Sequence, residues 1–567
     1  MRIRISACLV SIAWACSAAA APRDVPLVEA VKMHDLAAIR ALLQKHAAVD
    51  QAEPDGTTAL MWAAREDAAD VAAQLIKSGA DVNARNRYGV TPLQLAAINA
   101  SRGMTALLLD NGADAGAAMD NGQTVLMTAA RAGNADLVRL LLVYGADVDT
   151  KEIRRGTTAL MWAAEDNRAD VVKLLLEAGA HVKTRSKGDF SALLVAARAG
   201  SLDAARALVA AGADVNDTAP PGDPRESNSL GVGRPTDDIK AYGPNDTGAV
   251  RTSALVLAML NGHFDFAAWL VDQGADANAP DPRGSPLHVL AWIRKPGLPL
   301  DGGPVVVTFG QPDSMGLARA LMTHGANPNA RIAWKEIPFD RIGGQVRLPA
   351  TIHMGRYWAS FIGATPFWLA AQKNDVPLMR LMLEHGADPQ LATIQNITPL
   401  MAAAGMGTWD YENPHPSNGT PERESLEAVR ILVEETGADV NATTKFAEIH
   451  PKGDPAGLRY RYLVPEELPA QGAYGDMRWG NATALHAAAF KALPSVIQYL
   501  VDHGARLDAK TSLGWTPAMI ADSLFGANLE RVHPEIAGLI RRLMKERGIP
   551  DDNSQRDANA SREAVHN

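Results

Sequence analysis

Thiols are almost absent from this chain of 567 residues: its two cysteines, Cys8 and Cys16, both fall within the opening stretch MRIRISACLVSIAWACSAAAAP. There Arg2 and Arg4 precede an apolar run from Ile5 to Ala15 and then a series of small residues. That layout predicts a cleavable secretory signal over residues 1–20, cut after Ala20, and hence a periplasmic or secreted protein. The mature chain is then expected to carry no disulfide, no zinc–thiolate site and no cysteine nucleophile. A lipoprotein anchored through Cys16 is the alternative, with Trp14 standing where that signal calls for a small or aliphatic residue.

Large aromatics are scarce, at 5% against 47% hydrophobic residues, so folded structure is affordable but several aromatic-rich cores are not. No run past the signal reaches the roughly 18 uncharged apolar residues of a membrane-spanning helix. A basic excess is lacking too. Lys and Arg total 55 against 64 Asp and Glu, a net charge of −9, which argues against a nucleic-acid binder that relies on a generally basic surface.

Catalytic signatures are missing as well. No H-E-x-x-H, G-x-S-x-G, G-x-G-x-x-G or G-x-x-x-x-G-K-[ST] spacing occurs, so zincin, serine hydrolase, dinucleotide and P-loop sites are not expected. His415 and His533 read as solvated loop residues without a ligand-spaced second histidine. The Asp and Asn of the recurring GADVN turns lie too far apart along the chain to gather the six to eight oxygens that calcium takes, and read as turn formers. We expect no metal, no cofactor and no catalytic residue.

What the sequence does contain is self-similarity. Helix-opening triplets begin at Thr58, Thr91, Thr124, Thr158, Ser191, Ser253, Ser285, Thr365, Thr398, Thr483 and Thr516, and six of the ten intervals are 33 or 34 residues. Gly-Ala pairs begin at Gly79, Gly112, Gly145, Gly179, Gly212, Gly274, Gly325, Gly386, Gly437 and Gly504. Thr or Ser can cap a helix N-terminus, and Pro92, Pro286, Pro366, Pro399 and Pro517 then occupy the first helical position. Segments such as LMWAA and ADLVRLLLVYG alternate, the second with helical periodicity and ending at a Gly suited to a left-handed cap.

On these motifs, and on YGVTPLQLAA, RGSPLHVLA, NITPLMAAA and GNATALHAAA, the chain resembles the ankyrin repeat family. The resemblance implies an all-α ankyrin-repeat solenoid of about twelve helix-turn-helix repeats with long finger insertions in the C-terminal half. A signal (1–20) precedes a regular array over 24–216, a mobile insertion over 217–250, an insertion-bearing array over 251–548 and a disordered tail over 549–567. The histidine of the family motif occurs only at His288 and His486. Its replacement by Met61, Gln94, Met127, Met161 or Trp368 predicts more apolar packing there. Trp62 and Trp162, in two identical GTTALMWAA segments, are expected in the inter-repeat core, as are Leu140 and Leu175 of the second helices.

Extra sequence falls at 217–250, 331–362 and 443–480, between repeats, and at 293–314 and 405–424, within them. The finger at 331–362 reads as a hairpin around an Ile-Gly-Gly centre. The one at 443–480 alternates Arg459, Tyr460, Arg461 and Tyr462. Eight of the eleven Trp residues lie in this later array. Because Arg, Tyr and Trp dominate binding hot spots, Trp334, Arg356, Tyr357, Trp358, Arg459, Tyr460, Arg461, Tyr462 and Trp479 are candidate partner-binding residues, with exposed Arg65, Tyr88 and Arg131 of the regular array beside them. The expected function is a monomeric, non-catalytic scaffold that binds another protein through its concave face and fingers. Two alternatives stand beside it: an enzyme or small-ligand site built from the fingers around His353, Arg356, Tyr357, Arg459 and Tyr462, and a secreted effector acting on a host cell.

Overall fold

A helix begins where a side chain can accept one of its unpaired N-terminal N–H groups, and all eleven expected caps do this. The computed structural model describes residues 26–220, 251–281, 284–295, 313–332, 363–393, 395–406, 422–445, 480–511, 514–522 and 533–551. In it Thr58, Thr91, Thr124, Thr158, Ser191, Ser253, Thr365, Thr398 and Thr516 each accept from the backbone N–H three residues on. Ser285 and Thr483 instead form capping boxes with His288 and His486. At the other end, all ten Gly of the Gly-Ala pairs have positive φ. Gly79 (φ 91°) lets Ala80 N–H turn back to the Leu75 carbonyl at 3.0 Å, closing a Schellman cap that a Cβ would strain.

The chain divides into two compact units, residues 1–188 and 189–567. Unit 1 pairs α1 (Pro26–Lys32) with α2 (Leu36–Gln44), α3 (Ala59–Arg65) with α4 (Ala69–Lys77), α5 (Pro92–Ile98) with α6 (Arg102–Asp110), α7 (Val125–Ala132) with α8 (Ala135–Val143), and α9 (Ala159–Glu165) with α10 (Ala169–Glu177). Unit 2 opens with α11 (Ala192–Ala199) and α12 (Leu202–Ala210), then a two-residue antiparallel ribbon of β1 (Thr218–Ala219) and β2 (Thr252–Ser253). Next come α13 (Ala254–Leu260) with α14 (Phe264–Asp272), α15 (Pro286–Arg294) with α16 (Ser314–Thr323), and α17 (Pro366–Gln372) with α18 (Val376–Glu384). The last pairs are α19 (Pro399–Ala403) with α20 (Glu422–Arg430), which runs on into a π-helical turn at Ile431–Glu435, then α21 (Ala484–Phe490) with α22 (Pro494–Asp502), and α23 (Pro517–Ala521) with α24 (Pro534–Glu546).

Within unit 1 each first helix packs on the next, α1 on α3, α3 on α5, α5 on α7 and α7 on α9, and on its own second helix. Small residues permit this approach: Ala63, Ala64, Ala96, Ala97, Ala129 and Ala130 are fully buried. On α8 the buried face is Leu137, Val138 and Leu141, which share one side of the helix at 3.6 residues per turn. Leu140, expected in the core, turns to the flank and is only partly buried, whereas Leu175 of α10 is fully buried.

The GADVN turns are turn formers, as expected, and also staples between repeats. Asp81 Oδ1 accepts Asn83 N–H within the turn at 2.9 Å. Asn83 then reaches the next repeat, its Nδ2 donating to the Gly112 carbonyl at 2.9 Å and its Oδ1 accepting Asp114 N–H at 2.8 Å. Asn329 and Asn441 repeat the Nδ2 bond to the carbonyls of Gly386 and Gly504, both at 2.9 Å, across the insertions at 331–362 and 443–480.

Of the residues that replace the motif histidine, Met61, Met127 and Met161 are apolar and buried, as expected. Gln94 and Trp368 depart from that expectation, because each keeps a donor. Gln94 Nε2 donates to Thr128 Oγ1 at 2.5 Å, and the fully buried Trp368 donates its indole N–H to the Ile397 carbonyl at 2.8 Å.

The finger insertions leave and return through hydrogen-bonded roots. The first does so through β1 and β2, with Arg251 gripping Asp189, Thr218 Oγ1 and the Thr218 carbonyl. At the second, Ile332 N–H donates to Ala364 (2.9 Å) and Gly363 N–H to Ile332 (2.8 Å). At the third, Thr444 N–H donates to Ala482 (3.0 Å) and Asn481 N–H to Thr444 (3.1 Å). Residues 1–25, the finger hairpin and the segment 552–567 lie outside the described residues, so the signal, lipoprotein and hairpin expectations and most of the tail do too. The first tail residues, expected to be disordered, are tied to α24, with Ile549 N–H donating to the Met544 carbonyl at 2.9 Å and Arg541 Nε to Asp551 Oδ2 at 2.8 Å.

Candidate functional site

A first helix buries most of its residues against neighbours and leaves one stripe uncovered. In α3 that stripe is Trp62 and Arg65, in α5 Leu95 and Ile98, in α7 Thr128 and Arg131, and in α9 Trp162 and Glu165, each pair three residues apart and so on one face. Trp62 and Trp162 are therefore half-buried and do not sit within the core as expected, because the alanines beside them take the inward positions. Ile98 is 58% exposed on the same face.

Cations cover the tryptophan rings. Lys32 Nζ lies 4.7 Å from the Trp62 ring centroid, the Arg65 guanidinium 4.8 Å from it, and the Arg131 guanidinium 5.3 Å from that of Trp162. Such contacts are worth about 0.5–1 kcal/mol when exposed. The two identical segments find different partners for the indole N–H: Trp62 donates to Glu53 Oε2 at 2.7 Å, and Trp162 to Thr157 Oγ1 at 2.8 Å. Glu53 also takes Lys32 Nζ at 2.5 Å, and this hydrogen bond is the main reason that the ammonium is held above its ordinary pKa.

Tyr88 stands apart from this stripe, on the turns between repeats. Those turns join edge to edge: Arg87 N–H donates to the Asp55 carbonyl (2.8 Å), Asp120 N–H to Tyr88 (3.3 Å), Ile153 N–H to Asn121 (2.9 Å) and Lys187 N–H to Arg155 (2.7 Å). Tyr88 is 53% exposed, with the Arg87 guanidinium 4.8 Å from its ring and Arg87 Nη2 donating to its hydroxyl at 2.6 Å. Of the candidates read from sequence, then, Arg65 and Arg131 share the first-helix face and Tyr88 the turn edge, all three exposed. Trp334, Arg356, Tyr357, Trp358, Arg459, Tyr460, Arg461, Tyr462 and Trp479 lie outside the described residues.

Sequence reasoning missed the turn at 151–157. The interval from Thr124 to Thr158 is 34 residues where its neighbours are 33, and the extra residue is folded around the buried carboxylate of Glu152. That carboxylate accepts the backbone N–H groups of Arg154 (2.6 Å), Arg155 and Thr157 (3.4 Å) and the Thr157 hydroxyl (3.2 Å). Burial works to raise its pKa, but the four hydrogen bonds prevail and hold it below the ordinary value. Ile153, 61% exposed, and the side chains of Arg154 and Arg155 are turned outward in consequence.

In unit 2 the polar side chains at the feet of the internal insertions are pinned to the stack. Fully buried Asp375 accepts Arg294 Nε at 2.7 Å and Nη2 at 3.0 Å, while Arg294 Nη1 donates to Ser314 Oγ at 2.7 Å. Lys295 next to it pairs with Glu424 and donates to the Asn374 carbonyl at 2.8 Å, so the feet of the insertions after α15 and α19 meet on one turn. His533, expected as a solvated loop residue, precedes α24 with its side chain only 13% exposed. No three His, Cys, Asp or Glu side chains among the described residues are placed to hold a metal ion, and none of the described helices is long and apolar enough to cross a membrane.

Family models for ankyrin repeats match residues 27–118, 95–186 and 126–219 as three-copy blocks, and residues 362–394 and 480–512 as single repeats. The chain belongs to the ankyrin repeat family. The single-repeat matches are the ankyrin repeats of α17–α18 and α21–α22, which hold Trp368 and His486 at equivalent positions. Among solved structures, the ankyrin repeat domain of Bcl-3, a member of the IkappaB protein family, is 33% identical, with 34% of this chain and 88% of that one covered and a TM-score of 0.32.

Proposed function

We propose that this ankyrin repeat chain is a secreted or periplasmic, monomeric, non-catalytic scaffold that binds another protein through its first-helix face, taken as the concave binding face, and its fingers. The observation that carries the reading is the stripe on unit 1. Two half-buried tryptophans under three cations, with exposed Ile98 between them, form an amphipathic surface of the residue types that supply most binding energy at interfaces. Ankyrin repeats generally serve protein–protein interaction, and stacked repeats present such side chains at regular spacing without building a catalytic pocket. The finger residues, from Trp334 to Trp479, enter the proposal on their composition.

Capture from a periplasmic extract tests it. The intact chain is compared with Trp62→Ala/Trp162→Ala and with a variant lacking 331–362 and 443–480, each checked for parental circular dichroism. The expected result is one enriched partner, retained by the intact chain and lost or depleted with at least one variant. No enrichment above control beads, or enrichment indifferent to both variants, removes the reading. Mass spectrometry of the mature chain checks its location: a start at Ala21 is expected, and a diacylated Cys16 overturns the soluble form.

A further inference from the structure

On the turn edge of unit 1, Arg87, Arg154, Arg155 and Lys187 share the turns with Asp55 and Asp120, of which Asp55 accepts Thr57 N–H at 2.9 Å and Asp120 pairs with Arg85 at 3.7 Å. Hydrogen bonds from turn to turn hold Tyr88, Ile153 and Lys187 along one continuous edge. Arg87 spends its guanidinium on Tyr88, and Lys187 Nζ donates to the Ile153 carbonyl at 2.6 Å, neither of them to a carboxylate. Arg154 and Arg155 are exposed and form no ion pair among the described residues. The nearest acid in sequence, Glu152, is buried and fully engaged by backbone N–H groups and a hydroxyl, so it is turned away from the guanidinium groups that flank it. In a chain whose net charge is −9, these two guanidinium groups are therefore exposed cations with no carboxylate set against them among the described residues. Two large apolar side chains, Tyr88 and Ile153, are exposed on the same edge.

We infer that this edge binds an extended acidic segment of a partner protein, with carboxylates set against Arg87, Arg154, Arg155 and Lys187 and apolar side chains against Tyr88 and Ile153. Charge complementarity selects the occupant: unpaired cations on a negatively charged protein attract an anion, and exposed apolar side chains among them favour a peptide over a bare polyanion. The inference rests on the protein-binding reading and adds the chemistry of the segment bound.

The test uses the full mature chain and a fluorescein-labelled peptide, Glu-Asp-Leu-Glu-Asp-Tyr repeated twice, followed by anisotropy. Binding is expected to weaken as salt rises from about 50 to 200 mM, since exposed charges are then screened. It is expected to fall about tenfold or more in Arg154→Gln/Arg155→Gln and to fall in Ile153→Ser. Lys173→Gln, which removes an exposed cation from α10, should leave it unchanged. Thermal unfolding followed by circular dichroism confirms that the variants are folded. No binding, equal binding of the peptide with Gln and Asn in place of Glu and Asp, indifference to the double variant, or equal binding of an oligothymidylate of matched charge each overturns the inference. Such a failure, with partner capture still dependent on Trp62 and Trp162, removes the turn edge alone and leaves the scaffold reading in place.

Discussion

The indole N–H of Trp368 donates to the carbonyl of Ile397 across 2.8 Å, the residue just before the cap of the following helix. His288 Nε2 reaches Ala364, before cap Thr365, at 3.2 Å, and His486 Nε2 reaches Trp515, before cap Thr516, at 3.1 Å. Three positions thus send a ring N–H to the same place in the next repeat, one with indole and two with imidazole. The histidines present Nε2 as donor because Nδ1 accepts the cap residue's own N–H, at 3.0 Å from Ser285 and 3.1 Å from Thr483.

Trp368→Phe keeps an aromatic ring but leaves the carbonyl of buried Ile397 without its indole donor. That carbonyl still accepts Thr393 N–H at 3.1 Å, so the loss is the net value of one hydrogen bond, about 0.5–1.5 kcal/mol, and chemical unfolding of unit 2 is expected to shift to lower denaturant by that amount. An unchanged midpoint shows that the bond contributes nothing. Met61→Leu, at an equivalent position without a donor, serves as the contrasting substitution and is expected to cost less.

Burial pushes both His288 and His486 down to about 4, against the ordinary 6.5, with the carbonyl hydrogen bonds opposing the shift only in part. Since the folded pKa is depressed, the unfolded chain takes up protons first. The contribution of the neutral imidazoles is complete above about pH 6.5 and is lost as pH falls towards 4, by on the order of 3 kcal/mol for each histidine. Unfolding midpoints measured from pH 7 to 4.5 are expected to fall more steeply in the parent than in His288→Gln/His486→Gln. Parallel curves show that these residues do not set the acid limit.

Replacing residues 221–250 by a short turn is expected to leave the unfolding temperature within a few degrees of the parent. The ends of that segment are already held together by the β1–β2 ribbon and by Arg251, and loop entropy changes slowly with length. Loss of helical signal in calorimetry or circular dichroism contradicts this. Removing Arg251 in the same background, as Arg251→Ala, is expected to be felt more than the loop deletion itself.

The repeat framework was legible because it depends on local geometry. A Thr or Ser oxygen three residues from an N–H and a Gly at positive φ are visible in a few consecutive letters, and every such position took its expected conformation. The role of Trp368 was hidden because its acceptor lies 29 residues away, and that of Glu152 because only the fold shows that its carboxylate faces inward. Leu140 and Leu141 are indistinguishable by composition, and the angle of α8 alone decides which is buried. The 34-residue interval before Thr158 was the one sequence signal of the turn edge.

The closed roots of the fingers have a consequence for how this chain tolerates breakage. At Ile332 with Ala364, and at Thr444 with Ala482, the two strands of the excursion are bonded to each other and each continues into helices packed in the stack. A protease that cut once inside either excursion would sever the covalent thread without separating the parts, since every repeat on each side keeps its neighbours. The nicked protein would migrate as one species under native conditions and as fragments only after denaturation, so continuity of the fold does not require continuity of the chain.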